Sequence, residues 1–165
     1  MPPIIRRARA SDAPAIHESH MRSIREICRK DYTDAQIKAW GGRKFDETER
    51  LRIIEHEYVW VVEDGGKICG YGHFFAADRS GDRFAWVTAL YLTPEVVGKG
   101  LGSRILGEIE SEVRKLGLKR VELESTLTAL GFYRALGFTE SGPRREVVIN
   151  GEPIPCVPMV KTLTQ

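Results

Sequence analysis

Long apolar runs are missing from this sequence. No stretch approaches the roughly 20 residues that span a bilayer. The opening Met1-Pro2-Pro3-Ile4-Ile5-Arg6-Arg7 has none of the apolar core of a secretory leader. These absences predict a cytoplasmic protein with no membrane partner. Cysteine is scarce as well. Cys28, Cys69 and Cys156 are odd in number, far apart and form no Cys-x-x-Cys pair. That argues against a disulfide framework and a zinc knuckle, and no metal site is expected. An excess of one charge is also lacking. Lys+Arg is 25 and Asp+Glu is 23, so the formal charge is +2 and carries no nucleic-acid footprint. There is no repeat, low-complexity stretch or linker. What is present is an ordinary globular mix, 42% hydrophobic and 29% charged over 165 residues. It suits a single domain over residues 1–165 whose core needs no staples.

The order of patterns gives the architecture. Residues 4–9 read as a first strand. Ser11-Asp12 then reads as a helix cap with Pro14 in the first turn, and Ile16, His20, Ile24, Ile27 and Cys28 share one helical face. Thr33-Asp34 starts a short second helix over residues 35–40, stopped by Gly41-Gly42. Residues 46–56 form another helical piece. The period then changes. Residues 58–62 and 68–76 read as a hairpin about Asp64-Gly65-Gly66, and residues 84–92 as a third strand. Leu101, Ile105, Leu106, Ile109, Val113 and Leu116 make an amphipathic helix that ends at Gly117. A strand at 120–125, a helix at 128–136 and strands at 138–149 and 154–163 close the chain. Pro155 and Pro158 predict an irregular, edge-like start to the last strand, open to pairing between two chains as a homodimer. The fold class is α/β (α+β), with a mixed central sheet of about seven strands and helices on both faces.

The stretch richest in chemistry is Leu90-Tyr91-Leu92-Thr93-Pro94-Glu95-Val96-Val97-Gly98-Lys99-Gly100-Leu101-Gly102-Ser103. A strand ends, a glycine turn follows and a helix begins. Unsatisfied N–H groups point out of such a helix start, and its dipole favours anions. The glycines let backbone approach a phosphate, so a pyrophosphate is the expected guest. No Gly-Lys-Ser/Thr closes the loop, which excludes a Walker A site. Ser103 after Gly102 removes the third glycine of a dinucleotide fingerprint. A plain tight turn is the bland alternative.

Two motifs resemble the GNAT superfamily of acyl-CoA-dependent N-acetyltransferases. The first is Leu90-Tyr91-Leu92, Pro94-Glu95 and Val97-Gly98-Lys99-Gly100-Leu101-Gly102. The second is Thr126-Leu127-Thr128-Ala129-Leu130-Gly131-Phe132-Tyr133-Arg134-Ala135-Leu136-Gly137-Phe138. The resemblance covers residues 58–163, and more weakly the N-terminal strand and helices. The segment from Asp31 to Trp40 looks like one in uncharacterised bacterial members. The resemblance implies a GNAT fold and acetyl-CoA as cosubstrate. It implies a pyrophosphate on the backbone of Val97, Gly98, Lys99, Gly100, Leu101 and Gly102, with Ser103 nearby. The pantetheine is expected along Leu90, Tyr91 and Leu92, where this strand and the one at 120–125 splay apart, with Thr126 and Phe132 beside it. Tyr133 is the expected general acid for a departing thiolate, and the Leu92 N–H an oxyanion donor.

Three positions depart from the family pattern. Val97 stands where Gln or Arg is usual, Thr126 replaces Asn, and Ala89 stands where many relatives place a basic Glu. Glu122, Glu124, His73 or ordered water are the alternatives for the base. The acceptor site is expected from the N-terminal helices and the last hairpin, with His20, Arg22, Tyr32 and Trp40 the residues to inspect. Glu18, Glu26, Asp31 and Asp34 would favour a cationic amine, or simply form an exposed acidic face. The expected activity is acetyl transfer to the primary amine of a small molecule. A non-catalytic acyl-CoA-binding regulatory module and a protein or aminoacyl-tRNA acetylase remain as alternatives. Tyr133 speaks against the first, and the scatter of the arginines against a nucleic-acid substrate.

Overall fold

The computed structural model describes residues 1–164. In chain order it contains β1 (Ile4–Arg7), α1 (Ala13–Glu26), α2 (Asp34–Gly41), α3 (Glu47–His56), β2 (Tyr58–Asp64), β3 (Lys67–Arg79), β4 (Asp82–Leu92) and α4 (Leu101–Lys115). These are followed by β5 (Arg120–Thr126), α5 (Leu130–Ala135), β6 (Thr139–Glu140), β7 (Arg145–Ile149) and β8 (Glu152–Thr162). Local chemistry sets the boundaries. Thr33 and Gln36 form a reciprocal capping box at the start of α2, with bonds of 3.1 and 2.9 Å. The Asp46 carboxylate accepts the Glu49 N–H at 3.0 Å and starts α3. Asp12 stands at the head of α1, but its carboxylate bonds backward, to the Arg9 N–H at 2.7 Å and the Arg6 guanidinium at 2.8 Å. It ties β1 to the helix rather than capping it.

The strands form one mixed sheet in the order β1-β2-β3-β4-β5-β8-β6, with β7 also paired to β8. Every pairing is antiparallel except β4 with β5. On one face α4 buries Leu101, Ile105, Leu106, Ile109 and Val113 against Phe74, Val87, Val121 and Leu123. Each such side chain contributes roughly 1.5–3 kcal/mol when removed from water. On the other face α1 and α2 bury Met21, Ile24, Ile37 and Trp40 with Ile154 of β8.

One expectation is corrected. The strand expected over residues 138–149 is two short strands, β6 and β7, which brings the sheet of about seven strands to eight. Ser141-Gly142-Pro143 breaks it, because Pro143 has no N–H to offer a ladder. The last strand is edge-like only at its start, where Glu152 to Pro155 pair with β7 alone. β8 pairs with β5 on one side and with β6 and β7 on the other. Its prolines sit where no ladder N–H is required. Pro158 faces the gap between β6 and β7, where its carbonyl accepts the Ser141 N–H at 2.9 Å. Pro153 and Pro155 face the side that β5 has left, since β5 ends opposite Cys156. There their carbonyls accept bonds from Gln36 Nε2 and the Tyr32 hydroxyl, both at 2.8 Å.

Tyr32 thus holds α2 to β8, and its oxygen also accepts the Leu127 N–H at 2.9 Å. Tyr32→Phe strands two backbone groups and is expected to lower stability by about 1–3 kcal/mol in urea unfolding. An unchanged midpoint would show that water replaces both bonds.

Candidate active site

The site begins where two strands stop pairing. β4 and β5 are in register only over Ala85–Val121, Trp86–Glu122 and Val87–Leu123. At Thr88 the β3–β4 ladder slips, with His73 opposite Ala89 and Phe74 opposite Val87, so Thr88 is a bulge. A bulge bends its strand and re-aims the side chains beyond it. From there β4 follows β3 and leaves β5. The Thr93 N–H donates to the Cys69 carbonyl at 2.9 Å. By the alternation of an antiparallel ladder, the N–H groups of Leu90 and Leu92 therefore point the other way, into the gap. Unpaired backbone at such a gap needs a polar guest.

The loop after β4 offers a second set of unpartnered donors. The Val96 and Val97 N–H groups both donate to the Thr93 carbonyl at 3.1 Å, and the next loop-to-helix bond is from Arg104 to Gly100 at 3.2 Å. Between them, the N–H groups of residues 98–103 have no protein acceptor among the described residues. The row of free donors therefore starts at Gly98, and Val97 enters the site by its exposed side chain. Gly100 caps α4 in the left-handed region, φ +81°. No atom lies within 4 Å of the Cβ position at Gly98 or Gly100, so the cradle is open. Lys99 and Ser103 flank it in solvent. Leu101 is buried in the core and contributes only backbone. Gly102 is a close approach, since a Cβ there would come 3.1 Å from the Phe132 ring. A cleft of about 160 Å³ runs on from this loop, lined by Leu90, Leu92, Val97, Gly102, Thr126 and Phe132 among others. An anion on the loop and an amide-bearing arm along β4 both fit these residues.

Tyr133 sits at the inner end. It is 5% exposed, packs edge-on against Phe132 and Phe138, and lines the narrow gap with Thr88, Ala89, Leu90, Glu124 and Thr126. Burial pushes its hydroxyl well above the ordinary tyrosine value, so it is protonated at neutral pH. Thr126 Oγ1 accepts the Ala129 N–H at 3.1 Å and shapes the turn that presents α5.

Beyond the gap lies a larger cavity of about 510 Å³, within the range of small-molecule sites. α1 contributes His20, α2 Trp40 and the segment between them Tyr32, and the last hairpin contributes Val147, Ile149, Ile154 and Cys156. These are the elements the sequence predicts. Tyr91, expected along the donor, lines both the cleft and this cavity, with its ring centroid 4.2 Å from that of His20. His20 Nδ1 and the Tyr71 hydroxyl are 2.9 Å apart. Burial lowers the His20 pKa well below 6.5, with the positive charges of Arg43 and Arg50 adding to the effect. His73 is 3% exposed and bonds through Nε2 to Glu57 Oε1 at 2.9 Å. Burial lowers its pKa below 6.5 against the opposing pull of that carboxylate.

The structure sorts the remaining candidates. Glu124 lines the cavity and accepts a bond from Cys156 Sγ at 2.8 Å. Glu122 is committed to Arg79 and Arg120 outside it. Arg22 also lies outside, paired with Glu95 at 2.6 Å, which holds that carboxyl down at about 2. Glu18, Glu26, Asp31 and Asp34 do not line the cavity, and Glu18 and Glu26 pair with arginines on the surface. Sequence reasoning missed Arg43, Arg50, Glu57 and Tyr71. Only Tyr71 had a local signal, two residues from His73 on the same strand face.

A mixed sheet parted beside a free helix start, with a polar cavity beyond the gap, defines an enzyme that draws a phosphate-bearing group donor toward a second substrate. The chain belongs to the Acetyltransferase (GNAT) family, whose profile matches residues 21–138. It is an acyl-CoA-dependent N-acetyltransferase with acetyl-CoA as cosubstrate. It is 29% identical over 141 residues to the uncharacterized N-acetyltransferase YjgM of Escherichia coli (strain K12), covering 82% of this chain and 81% of that protein. The fold matches a GCN5-related N-acetyltransferase from Rhodopseudomonas palustris with a TM-score of 0.85 at 22% identity, covering 99% of this chain and 97% of the other. It matches the acetyltransferase yncA of Salmonella typhimurium, solved with its cofactor acetyl-CoA, with a TM-score of 0.73 at 23% identity, covering 100% and 96%. No helix among the described residues is long and apolar enough to cross a membrane.

Gly100→Val is expected to weaken CoA binding in calorimetry, through both the filled cradle and the strained left-handed backbone. Equal affinity in a variant that keeps its circular dichroism would place the phosphates elsewhere.

Proposed function

We propose that this enzyme acetylates the primary amine of a small molecule held in the 510 Å³ cavity, with Tyr133 as general acid and His73 as general base. One observation carries the reading. The gap between β4 and β5 is lined by Tyr133 on the donor side and opens past Tyr91 and Thr126, which line both the donor cleft and the cavity. A donor threaded from the loop and an acceptor in the cavity meet there.

Bound acetyl-CoA supplies an activated acetyl group, a thioester whose C–S bond breaks as the C–N bond to the amine forms. The Leu92 N–H, unpaired in the gap, is placed to polarise the thioester oxygen. Tyr133 Oη holds the proton that goes to the leaving sulfur, and it regains one from water. A thiol and a phenol differ by only about 1.5 units in ordinary pKa. The dry gap penalises a thiolate as it penalises a phenolate, so burial does not by itself set the transfer against Tyr133. His73 takes the proton the amine must shed. Glu57 accepts from Nε2, which assigns that nitrogen the proton and leaves the Nδ1 lone pair free. Its lowered pKa keeps the ring neutral at pH 7. His73 stands directly across the ladder from Ala89, where a small residue leaves room for the ring. A cavity of about 510 Å³ with aromatic walls favours a small acceptor over a protein or a tRNA. Three free cysteines suit a cytoplasmic setting.

Tyr133→Phe is expected to cut turnover by roughly 10²–10⁴-fold in thiol release, with CoA affinity nearly unchanged. Unchanged turnover would remove Tyr133 from the mechanism. In the wild type, kcat/KM is expected to fall on the acid side as His73 gains a proton, below the ordinary imidazole value of about 6.5. His73→Ala should lower kcat/KM by roughly 10²-fold and abolish that limb. Persistence of the limb would move the base to Glu124 or water.

A further inference from the structure

The cavity has a charge pattern that acetyl transfer to a simple amine does not use. Five arginines are half-buried: Arg6, Arg22, Arg43, Arg50 and Arg120. Arg6, Arg22 and Arg120 each pair with a carboxylate at 2.6–2.8 Å. Arg43 and Arg50 have no carboxylate within 4.0 Å among the described residues, and both line the cavity.

Both guanidinium groups are oriented without being neutralised. Arg43 Nε donates to the Trp40 carbonyl at 2.9 Å, and one of its terminal nitrogens lies 3.5 Å from His20 Nε2. Burial lowers the Arg43 pKa, and the positive charge of Arg50 opposes it further. The Arg50 guanidinium lies over the Tyr71 ring, 5.4 Å from its centroid. The surrounding charges do not complete the pair. Glu49 is held by Arg52 at 2.7 Å, Asp46 caps α3, Glu57 is shared by His73 and Arg52, and Glu124 takes the Cys156 thiol on the far strand. His17, His20 and His73 have lowered pKa values and add no negative charge. Two neighbouring, half-buried guanidiniums without a carboxylate partner favour an anion that joins them.

Their position separates them from the reacting end. Neither lines the β4–β5 gap, and both are shared with a side recess formed by α1, α3 and the segment between α2 and α3. Tyr32, Trp40, Ile53, Val147, Ile149 and Ile154 supply apolar wall between and beside the two ends.

We propose that the acceptor is an amine that also bears a carboxylate, and that Arg43 and Arg50 bind this carboxylate while the amine faces His73 and the gap. The assignment rests on the reading of this cavity as the acceptor site. A guanidinium matches a carboxylate with two parallel N–H donors, and Arg43 has terminal donors to spare. The apolar wall accommodates a hydrophobic or aromatic side group. The acceptor class is thus an amino acid with an apolar side chain.

The test compares matched pairs with and without the carboxylate: L-phenylalanine against phenethylamine, and L-methionine against 3-(methylthio)propylamine. Thiol release from acetyl-CoA is followed. The wild type is expected to prefer the amino acid by about 10²-fold or more in kcat/KM, the scale of stranding a buried charge. Arg43→Met and Arg50→Met should each shrink that ratio by roughly tenfold or more, chiefly through KM. A second readout does not depend on the variants. With CoA present, N-acetyl-L-phenylalanine should raise the wild-type Tm, and N-phenethylacetamide should not. Equal or better use of the decarboxylated amines overturns the carboxylate assignment and leaves the transferase reading intact. Ratios unchanged in both variants overturn the role of the two arginines. If no compound of either pair releases thiol and neither product shifts Tm, the assignment falls. Acetyl-CoA titration then shows whether the transferase reading falls with it.

Discussion

Everything in this protein depends on a parallel pairing that lasts three residues. β4 and β5 are joined from Ala85 to Val87 and then separate at the Thr88 bulge. A longer ladder would have satisfied the backbone of Leu90 and Leu92 and sealed the sheet. The short one leaves donors facing a gap, and it leaves the gap open to both faces of the sheet. The helix that follows β4 starts beside that opening with a further row of free N–H groups. One break in pairing therefore creates the cleft, the gap and the entrance to the larger cavity that the proposed function uses.

The parted strands need support from elsewhere, and the N-terminal helices give it. Tyr32 and Gln36 satisfy the proline carbonyls of β8 beyond the end of β5, and Tyr32 also holds the turn at Leu127. Arg22 of α1 reaches Glu95 in the loop that leads to α4. The same helices carry His20 and Trp40 into the cavity. The parts that stabilise the split sheet thus also form the acceptor wall, and the two functions cannot vary independently. The ion pair at Glu95 is exposed and worth little as energy, but it links α1 to the loop before α4.

Much of the donor side was legible in the sequence because it is local. Strand, glycine turn and amphipathic helix follow one another within residues 90–116, and a backbone cradle needs only the right turn and a helix start. Gly100 in the left-handed region is what such a turn requires. Where the local reading erred, a ladder partner decided the matter. The prolines of β8 marked its edge-like start, but sequence does not show which side of a strand a neighbour has vacated. Val97 looked like part of the cradle until its N–H was seen to close the turn on Thr93.

The acceptor side was only half legible. His20 and Trp40 lie on helices whose periodicity places them inward, Tyr32 lies just before the second of them, and the structure brings the three together. Arg22 shares the first helix, but it turns to Glu95, since a long charged side chain goes to the nearest partner in space. Arg43, Arg50 and Glu57 carried no pattern at all. By itself, the sequence determined the elements, their order and the glycine turn before the long helix, because hydrophobic period, capping and glycine act over a few neighbouring residues. The tertiary structure alone decided which charges are paired, which are left facing a cavity and which histidine meets a carboxylate. Those outcomes depend on distances between residues far apart in the chain, and pairing and desolvation are properties of those distances.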